Sequence, residues 1–340
     1  MLYIFLILFI ALLFVYRQIT ANENVSLKDF NLQETLSLRG LLAICVMLTH
    51  LCPYLIKEAP LLIDFCLWGP PSVATFFLIA GYGLGYSYQK KGDGYLQSFF
   101  KKRLLRLLWP LLFMTIVFQG FKIYHNNFDW IAMLTSPSPM SWFIYALVIW
   151  YVGYYFSFKI GKIRKVQLGL IWGFTLVYLA ITIYLKQYYF YISILPLPIA
   201  ITYVFYEGKV KTIISNHAKV IWWVVTTVVL VVMGYAIAGQ YNAKLPGWGI
   251  PVYTLVPCVL MYITYYLGGW KNKFTNFLGK ISYEFYIVHG FIVMQLGNCR
   301  ILRMTGYINA IIVIALVFGL TTFVAWILSN LCTSINKAIK

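Results

Sequence analysis

Apolar runs of roughly 16 to 25 residues recur along the whole chain, and short polar segments separate them. Runs of this length are long enough to cross the hydrocarbon core of a bilayer as α-helices. A first run covers Leu2–Tyr16. After it, the pattern predicts ten spans, at 38–56, 70–88, 105–124, 141–158, 167–185, 188–206, 220–238, 249–268, 281–297 and 306–332. We therefore expect an all-α, polytopic transmembrane bundle of about ten core helices plus one extra N-terminal helix.

The first apolar run is short for a span, and no clear small-residue cleavage site follows it. This pattern favours an anchoring helix over a cleaved signal peptide. The residues that follow are polar and include Asn22, Glu23, Asp29 and Glu34. We therefore divide the chain into an N-terminal transmembrane anchor at 1–20, a polar linker at 21–36 and a main transmembrane domain at 37–334.

The composition excludes a soluble globular domain, because 61% of the residues are hydrophobic and only 11% are charged. The net charge of +18 could suggest a nucleic-acid partner. However, the basic residues form short clusters between apolar runs, which is the arrangement that sets membrane topology. We therefore expect membrane lipid, and no nucleic acid, among the partners.

The basic residues also predict the orientation of the chain. Segments that follow odd-numbered spans hold 21 of the 27 lysines and arginines. Because cytoplasmic loops carry the excess of Lys and Arg, these segments are expected to be cytoplasmic. The N-terminus is then outside and the C-terminus is cytoplasmic.

The six cysteines show neither a CxxC pair nor a Cys/His spacing typical of metal sites. Most of them lie inside apolar runs. We expect no metal site, and we interpret the cysteines as apolar filler of helices.

One stretch combines an apolar helix with two cationic or titratable groups: SLRGLLAICVMLTH, at Ser37–His50. His50 is eleven positions after Arg39, which places both on one helix face, within about 20° and about 16 Å apart along the axis. An ionisable group inside a span faces protein or a wet cavity more often than lipid. His50 is therefore a candidate catalytic residue with Arg39 near it, the alternative being a histidine that only packs between helices.

The densest basic cluster is FFKKRLLRLLW, at Phe99–Trp109. Arg103 and Arg106 lie at i and i+3, so both guanidinium groups point from one helix face and could hold phosphate. The alternative is an ordinary cytoplasmic basic cluster that contacts anionic lipid headgroups.

A second intramembrane histidine, His289, lies at a depth comparable with that of His50. Ser282 and Tyr286, at i−7 and i−3, share its helix face. These three residues are candidates for a cavity, for acceptor binding or for a proton relay, and a simple hydrogen bond between helices is the alternative.

Aromatic and small residues supply two further predictions. Trp142 and Tyr145 lie at the outer end of a span, where they could stack on a sugar or simply belong to the interfacial aromatic belt. Gly81, Gly83 and Gly85 lie within an apolar helix and are typical of close helix packing rather than of a phosphate loop.

Five motifs in this order resemble the membrane-bound acyltransferase-3 family of bacterial O-acyltransferases. Along the chain they are Arg39 with His50, FFLIAGYGLGY at Phe76–Tyr86, Arg103-Leu-Leu-Arg106, SWFIYAL at Ser141–Leu147, and LGKISYEFYIVH at Leu278–His289. The resemblance covers roughly residues 35–330. It implies a multi-pass protein of the bacterial inner membrane.

The resemblance also implies an activity: transfer of an acyl group, commonly acetyl from cytoplasmic acetyl-CoA, to a hydroxyl of a glycan at the outer face. It implies His50 as the catalytic histidine, Arg39 as its partner on the same helix, and Arg103 with Arg106 as contacts to acyl-CoA. Acetyl-CoA would be a co-substrate, and no bound cofactor is expected. A neutral imidazole can take the proton of the acceptor hydroxyl near neutral pH.

The alternative from another class is a transporter or flippase for an anionic lipid-linked sugar, with Arg39 and His50 along a conduction path. Inverted repeats and paired helices broken by Gly or Pro would favour it. We find neither pattern in the sequence.

Overall fold

A computed structural model describes residues 2–21, 27, 30, 32–55, 65–241, 249–268, 272–298 and 307–338. Within these ranges the chain forms α-helices and no strand. The helices are α1 Leu2–Ala21, α2 Leu32–Leu55, α3 Gly69–Lys91, α4 Gly94–Gln97, α5 Phe99–Tyr124, α6 Trp130–Thr135, α7 Ser141–Ile160, α8 Arg164–Tyr184, α9 Tyr188–Ile192, α10 Pro196–Asn216, α11 Ala218–Tyr241, α12 Gly249–Leu267, α13 Lys273–Lys280, α14 Ser282–Asn298 and α15 Tyr307–Ala338.

In the described part of the chain, nine helical segments are long and apolar enough to cross a membrane. They correspond to α2, α3, α5, α7, α8, α9 with α10, α11, α12 and α15. The other two predicted spans are α1 and the 17-residue α14. The predicted all-α membrane bundle is therefore confirmed.

The boundaries differ from the prediction in three places. Helix α2 begins at Leu32, inside the segment expected to be a linker. Helix α5 begins at Phe99 and not at residue 105, because Lys and Arg are good helix formers and extend the helix before the apolar run. The predicted span 188–206 is two helices, since Pro196 and Pro198 lie in the first turn of α10, where proline starts a helix readily.

Helices α2 and α3 lie at the centre of the bundle. Helix α2 packs on α3, α13, α14 and α15, while α3 packs on α10 and α12 as well. Residues of α2 and α3 contribute to all three apolar cores of the bundle. The first core also contains residues of α5, α7 and α8, the second contains residues of α1, α11 and α12, and the third contains residues of α14 and α15. Any site between these cores is therefore lined by α2 or α3.

Glycines allow α3 and α10 to approach closely. A Cβ atom at Gly81 would overlap the carbonyl oxygen of Leu197, and one at Gly85 would lie 3.1 Å from the Cβ of Val204. The predicted packing role is thus confirmed for these two glycines. It is wrong for Gly83, since among the described residues no neighbouring atom lies within 4 Å of its Cβ position.

The backbones of α2 and α13 also meet directly. A Cβ atom at Gly40 would overlap the carbonyl oxygen of Thr275, and one at Gly279 would overlap that of Leu36. The Ser37 hydroxyl donates a hydrogen bond across the same contact to Oδ1 of Asn276. This contact fixes the first turns of α2 against α13.

The end of α2 is tied to the segment that precedes α3. Cys52 and Cys66 form a disulfide, which corrects the interpretation of all six cysteines as apolar filler. The sequence offers no local signal for this pairing, because the two cysteines are 14 residues apart and meet only when α2 and α3 pack. Beside them, the Thr49 hydroxyl donates to the carbonyl oxygen of Phe65 at 2.7 Å. A cross-link of this loop length stabilises a fold by roughly 3 kcal/mol.

Two alanine substitutions on α3 should separate close packing from helix propensity. Because a methyl group at Gly81 meets the α10 backbone, we expect Gly81→Ala to lower the free energy of unfolding by about 1–3 kcal/mol. Gly83→Ala, two residues away in open space, should leave it unchanged or raise it by about 0.5–1 kcal/mol. Thermal unfolding of both purified variants in one detergent tests the difference, and equal midpoints would contradict the close approach.

Candidate functional site

A cavity of about 1050 Å³ lies between α2, α3, α5, α7, α10, α13 and α14. Its walls carry five cations, Arg39, Arg103, Arg106, Lys211 and Lys280. Glu207 is the carboxylate among the described residues that line it. A cavity with this excess of positive charge favours a ligand that carries several negative charges.

Three arginines form one cluster in the cavity wall. Arg103 donates from Nε and Nη2 to the hydroxyl of Tyr95, at 3.0 and 2.6 Å, and Arg39 donates from Nε to the carbonyl oxygen of Thr35. The charges of Arg103 and Arg106 both act on Arg39. In the described part of the chain, no carboxylate forms an ion pair with these three guanidinium groups. The cluster therefore keeps its charge available for an anion.

Two histidines are in contact next to the cavity, His50 from α2 and His289 from α14. Nε2 of His289 lies 3.2 Å from Nδ1 of His50, and the two ring centroids are 5.1 Å apart. Nδ1 of His50 is also 2.9 Å from the carbonyl oxygen of Val46, and Nδ1 of His289 is 3.3 Å from that of Phe285. His289 is fully buried.

These contacts determine which ring nitrogens carry protons. A carbonyl oxygen can only accept, so Nδ1 of each ring donates to the carbonyl oxygen four residues earlier. A neutral imidazole has one proton, so Nε2 of His289 is an acceptor and can share the Nδ1–H of His50. The lone pair on Nε2 of His50 then remains available as a base.

An aromatic layer separates the cavity from the histidine pair. Phe76, Phe143 and Tyr286 line the cavity, and the ring of Phe143 lies 6.4 Å from Phe76 and 5.0 Å from Tyr286. The Tyr286 ring is in turn 5.6 Å from that of His289. Arg39 lines the cavity, whereas His50 lies beyond this layer. Arg39 and His50 share a helix as predicted, and of the two only Arg39 is among the residues that line the cavity.

The remaining predicted residues fall into two groups. Ser282 and Tyr286 line the cavity, and the Ser282 hydroxyl donates to the carbonyl oxygen of Gly279 at 3.0 Å. Trp142 packs on the rings of Tyr189 and Phe190, and Tyr145 donates to the carbonyl oxygen of Leu134 at 2.9 Å. Trp142 and Tyr145 do not line the cavity.

The sequence analysis missed two polar features of this region. One is the direct contact between His50 and His289, which are 239 residues apart. The other is Glu207, one of only nine acidic residues in the chain. A carboxylate that follows an apolar run in so basic a chain is the signal that could have identified it.

Within the described ranges, no group of three or more His, Cys, Asp or Glu side chains could hold a metal ion.

Comparison with known proteins gives one result. A family model for an acyltransferase domain, of the acyltransferase-3 type, matches residues 37–330. No curated protein and no solved structure matches the chain. The matched segment includes both histidines and all three arginines of the cluster.

The arginine cluster predicts stabilisation by a polyanion. Inorganic pyrophosphate should raise the thermal midpoint of the purified protein above that in sodium chloride of equal ionic strength, by the equivalent of about 2.7 kcal/mol at one hundred times Kd. Arg106→Gln should reduce this shift, because it removes one cation from the cavity. Lys101→Gln, on the exposed surface of the same helix, should preserve it. Identical shifts in both variants would contradict an anion site in the cavity.

Proposed function

The chain belongs to the acyltransferase-3 family, and from this premise we propose that it transfers an acetyl group from cytoplasmic acetyl-CoA to a hydroxyl of an envelope or exported glycan. The observation that carries the proposal is the histidine pair, with a free Nε2 on His50, above a cavity lined by cations. The family favours this activity over the transporter considered from the sequence.

The cavity suits the nucleotide end of the donor. Coenzyme A carries a diphosphate and a 3′-phosphate, and arginine binds phosphate through two parallel N–H groups without risk of deprotonation. Arg103 and Arg106 approach from α5, and Arg39 from α2. About 16 Å of helix separates Arg39 from His50, so we assign Arg39 to donor binding and not to orientation of His50.

His50 is the proposed general base. Nε2 of His50 takes the proton of the acceptor hydroxyl while the oxygen attacks the thioester carbonyl carbon. The tetrahedral intermediate collapses with cleavage of the C–S bond, and the departing thiolate takes the proton back from His50. Ester and coenzyme A leave, and His50 returns to its starting state.

His289 is the proposed positioning residue for this base. It accepts the Nδ1–H of His50, which keeps the reactive tautomer and holds the ring in place. During the reaction His50 is transiently an imidazolium, and the lone pair of His289 stabilises the Nδ1–H of that cation.

We infer the orientation from two independent features. The segments rich in Lys and Arg belong on the cytoplasmic side. The disulfide between Cys52 and Cys66 lies at the opposite end of α2 from Arg39, and disulfides persist outside the cytoplasm. Both features support an orientation in which the arginine cavity faces the cytoplasm, where acetyl-CoA is supplied, and the histidine pair faces the outer side.

Variants of the two histidines test the mechanism. In liposomes supplied with radiolabelled acetyl-CoA and mixed envelope glycans, His50→Ala should lower transfer by about 10²–10⁴-fold, because the base is lost. His289→Gln, whose amide oxygen can still accept the Nδ1–H, should retain more activity than His289→Leu. His217→Ala, at an exposed position, is the matched control and should be fully active. Wild-type activity in His50→Ala would refute the role of His50.

Cysteine labelling tests the orientation. In a Cys299→Ser background, an impermeant maleimide added to intact cells should label Cys52 and Cys66 only after an impermeant reductant opens their disulfide. Lys101→Cys, at the other end of the bundle, should label only in inverted vesicles. The opposite pattern for the two sites would invert the proposed topology.

A further inference from the structure

The part of the cavity wall formed by α3 and α10 carries aromatic rings and a carboxylate, whereas the arginines come from α2 and α5. Tyr82 and Tyr86 lie one turn apart on α3, with ring planes 11° apart and ring centroids separated by 6.2 Å. Both rings line the cavity. Tyr86 is 51% exposed, so about half of its surface is available to a ligand. The cavity therefore offers an aromatic surface as well as the arginines.

Glu207 supplies an acceptor beside these rings. The Tyr82 hydroxyl donates to Oε2 of Glu207 at 3.1 Å, and Nζ of Lys211 lies 3.1 Å from Oε1. Lys211 in turn lies over the ring of Tyr265, 5.1 Å from its centroid. A carboxylate has about four lone-pair sites, and these two partners occupy only part of that capacity. Because Glu207 lines the cavity, it can still accept a hydrogen bond from a ligand amine.

Gly83 provides space next to this acceptor. It lies between the two tyrosines on α3, lines the cavity and has no atom within 4 Å of its Cβ position. A flat ring could therefore lie against the helix backbone at Gly83 with its face toward Tyr86. Gly81 and Gly85, by contrast, are filled by α10.

We propose that Tyr86, Gly83 and Glu207 form a subsite for the adenine ring of the donor, which rests on the proposed function and deepens it. The ring lies on Tyr86, its exocyclic amine donates to Glu207, and the phosphates extend to the arginines across the cavity. An aromatic base with an amine joined to phosphates matches both walls, whereas a phospholipid headgroup has no aromatic ring to lie on Tyr86. The subsite selects an acyl group carried on coenzyme A over one carried on a phosphopantetheine arm without a nucleotide.

Two probes with identical phosphates isolate the contribution of the base. Adenosine 3′,5′-bisphosphate and uridine 3′,5′-bisphosphate differ only in the ring, and uracil has no exocyclic amine. Calorimetric titration of the purified full chain should give a preference for the adenosine compound of about tenfold, the scale of one hydrogen bond from the exocyclic amine to a charged acceptor.

Four variants locate that preference. Gly83→Leu, which fills the space for the ring, and Glu207→Leu, which removes the acceptor for the exocyclic amine, should each reduce the preference toward one. Gly173→Leu is the matched control on an exposed helix face with no neighbouring atoms, and it should keep the preference. Arg106→Gln should weaken both compounds by the same factor.

Equal affinity of the wild-type protein for the two compounds, or a preference that survives both subsite variants, would overturn the subsite. If acetyl transfer persists in that case, the proposed function stands without it. Absence of both nucleotide binding and acetyl transfer would instead refute the proposed function.

Discussion

The direct contact between the backbones of α2 and α13 is the constraint on which the site depends. Gly40 and Gly279 leave no side chain between the two helices, so the chain enters α14 immediately beside α2. Seven residues after Ser282, His289 then meets His50. The same contact brings Lys280 and Ser282 into the cavity with Arg39. One close approach of two backbones therefore sets the positions of both the arginine cavity and the histidine pair.

Much of this organisation follows from local pattern. The length of the apolar runs predicts the bundle, and helical periodicity places Arg39 with His50 and Arg103 with Arg106 on shared faces. The resemblance of the motifs agrees with the family match. The features that escape prediction depend on which distant segments come together. They are the disulfide of Cys52 and Cys66, the contact between the two histidines, and the position of Gly83 on a side of α3 that no described residue covers. Periodicity defines which residues share a face, but not which helix covers that face.

The positive charges of the cavity lower the stability of the protein when no ligand is bound. The charges of Arg103 and Arg106 act on Arg39, and among the described residues no carboxylate forms an ion pair with these three guanidinium groups. The Glu284 carboxylate interacts with Arg106 only at longer range, and Glu207 is engaged by Tyr82 and Lys211. Like charges held together raise the free energy of the folded state, and an anionic ligand lowers it again. The apolar packing of the surrounding helices, with glycines at the tightest crossings, offsets this cost. Such local conflict with stability is typical of sites that bind a ligand.

The aromatic layer at Phe76, Phe143 and Tyr286 has an electrical consequence. A water-filled channel that joined the arginine cavity to two imidazoles would give protons a route across an energised membrane. Each proton that leaked through it would dissipate about 2.3 kcal/mol per 100 mV of membrane potential. Phe76, Phe143 and Tyr286 lie between the cavity and the histidine pair and narrow that route. Apolar rings at such a point restrict the passage of protons while a proton-accepting group lies within the helical bundle.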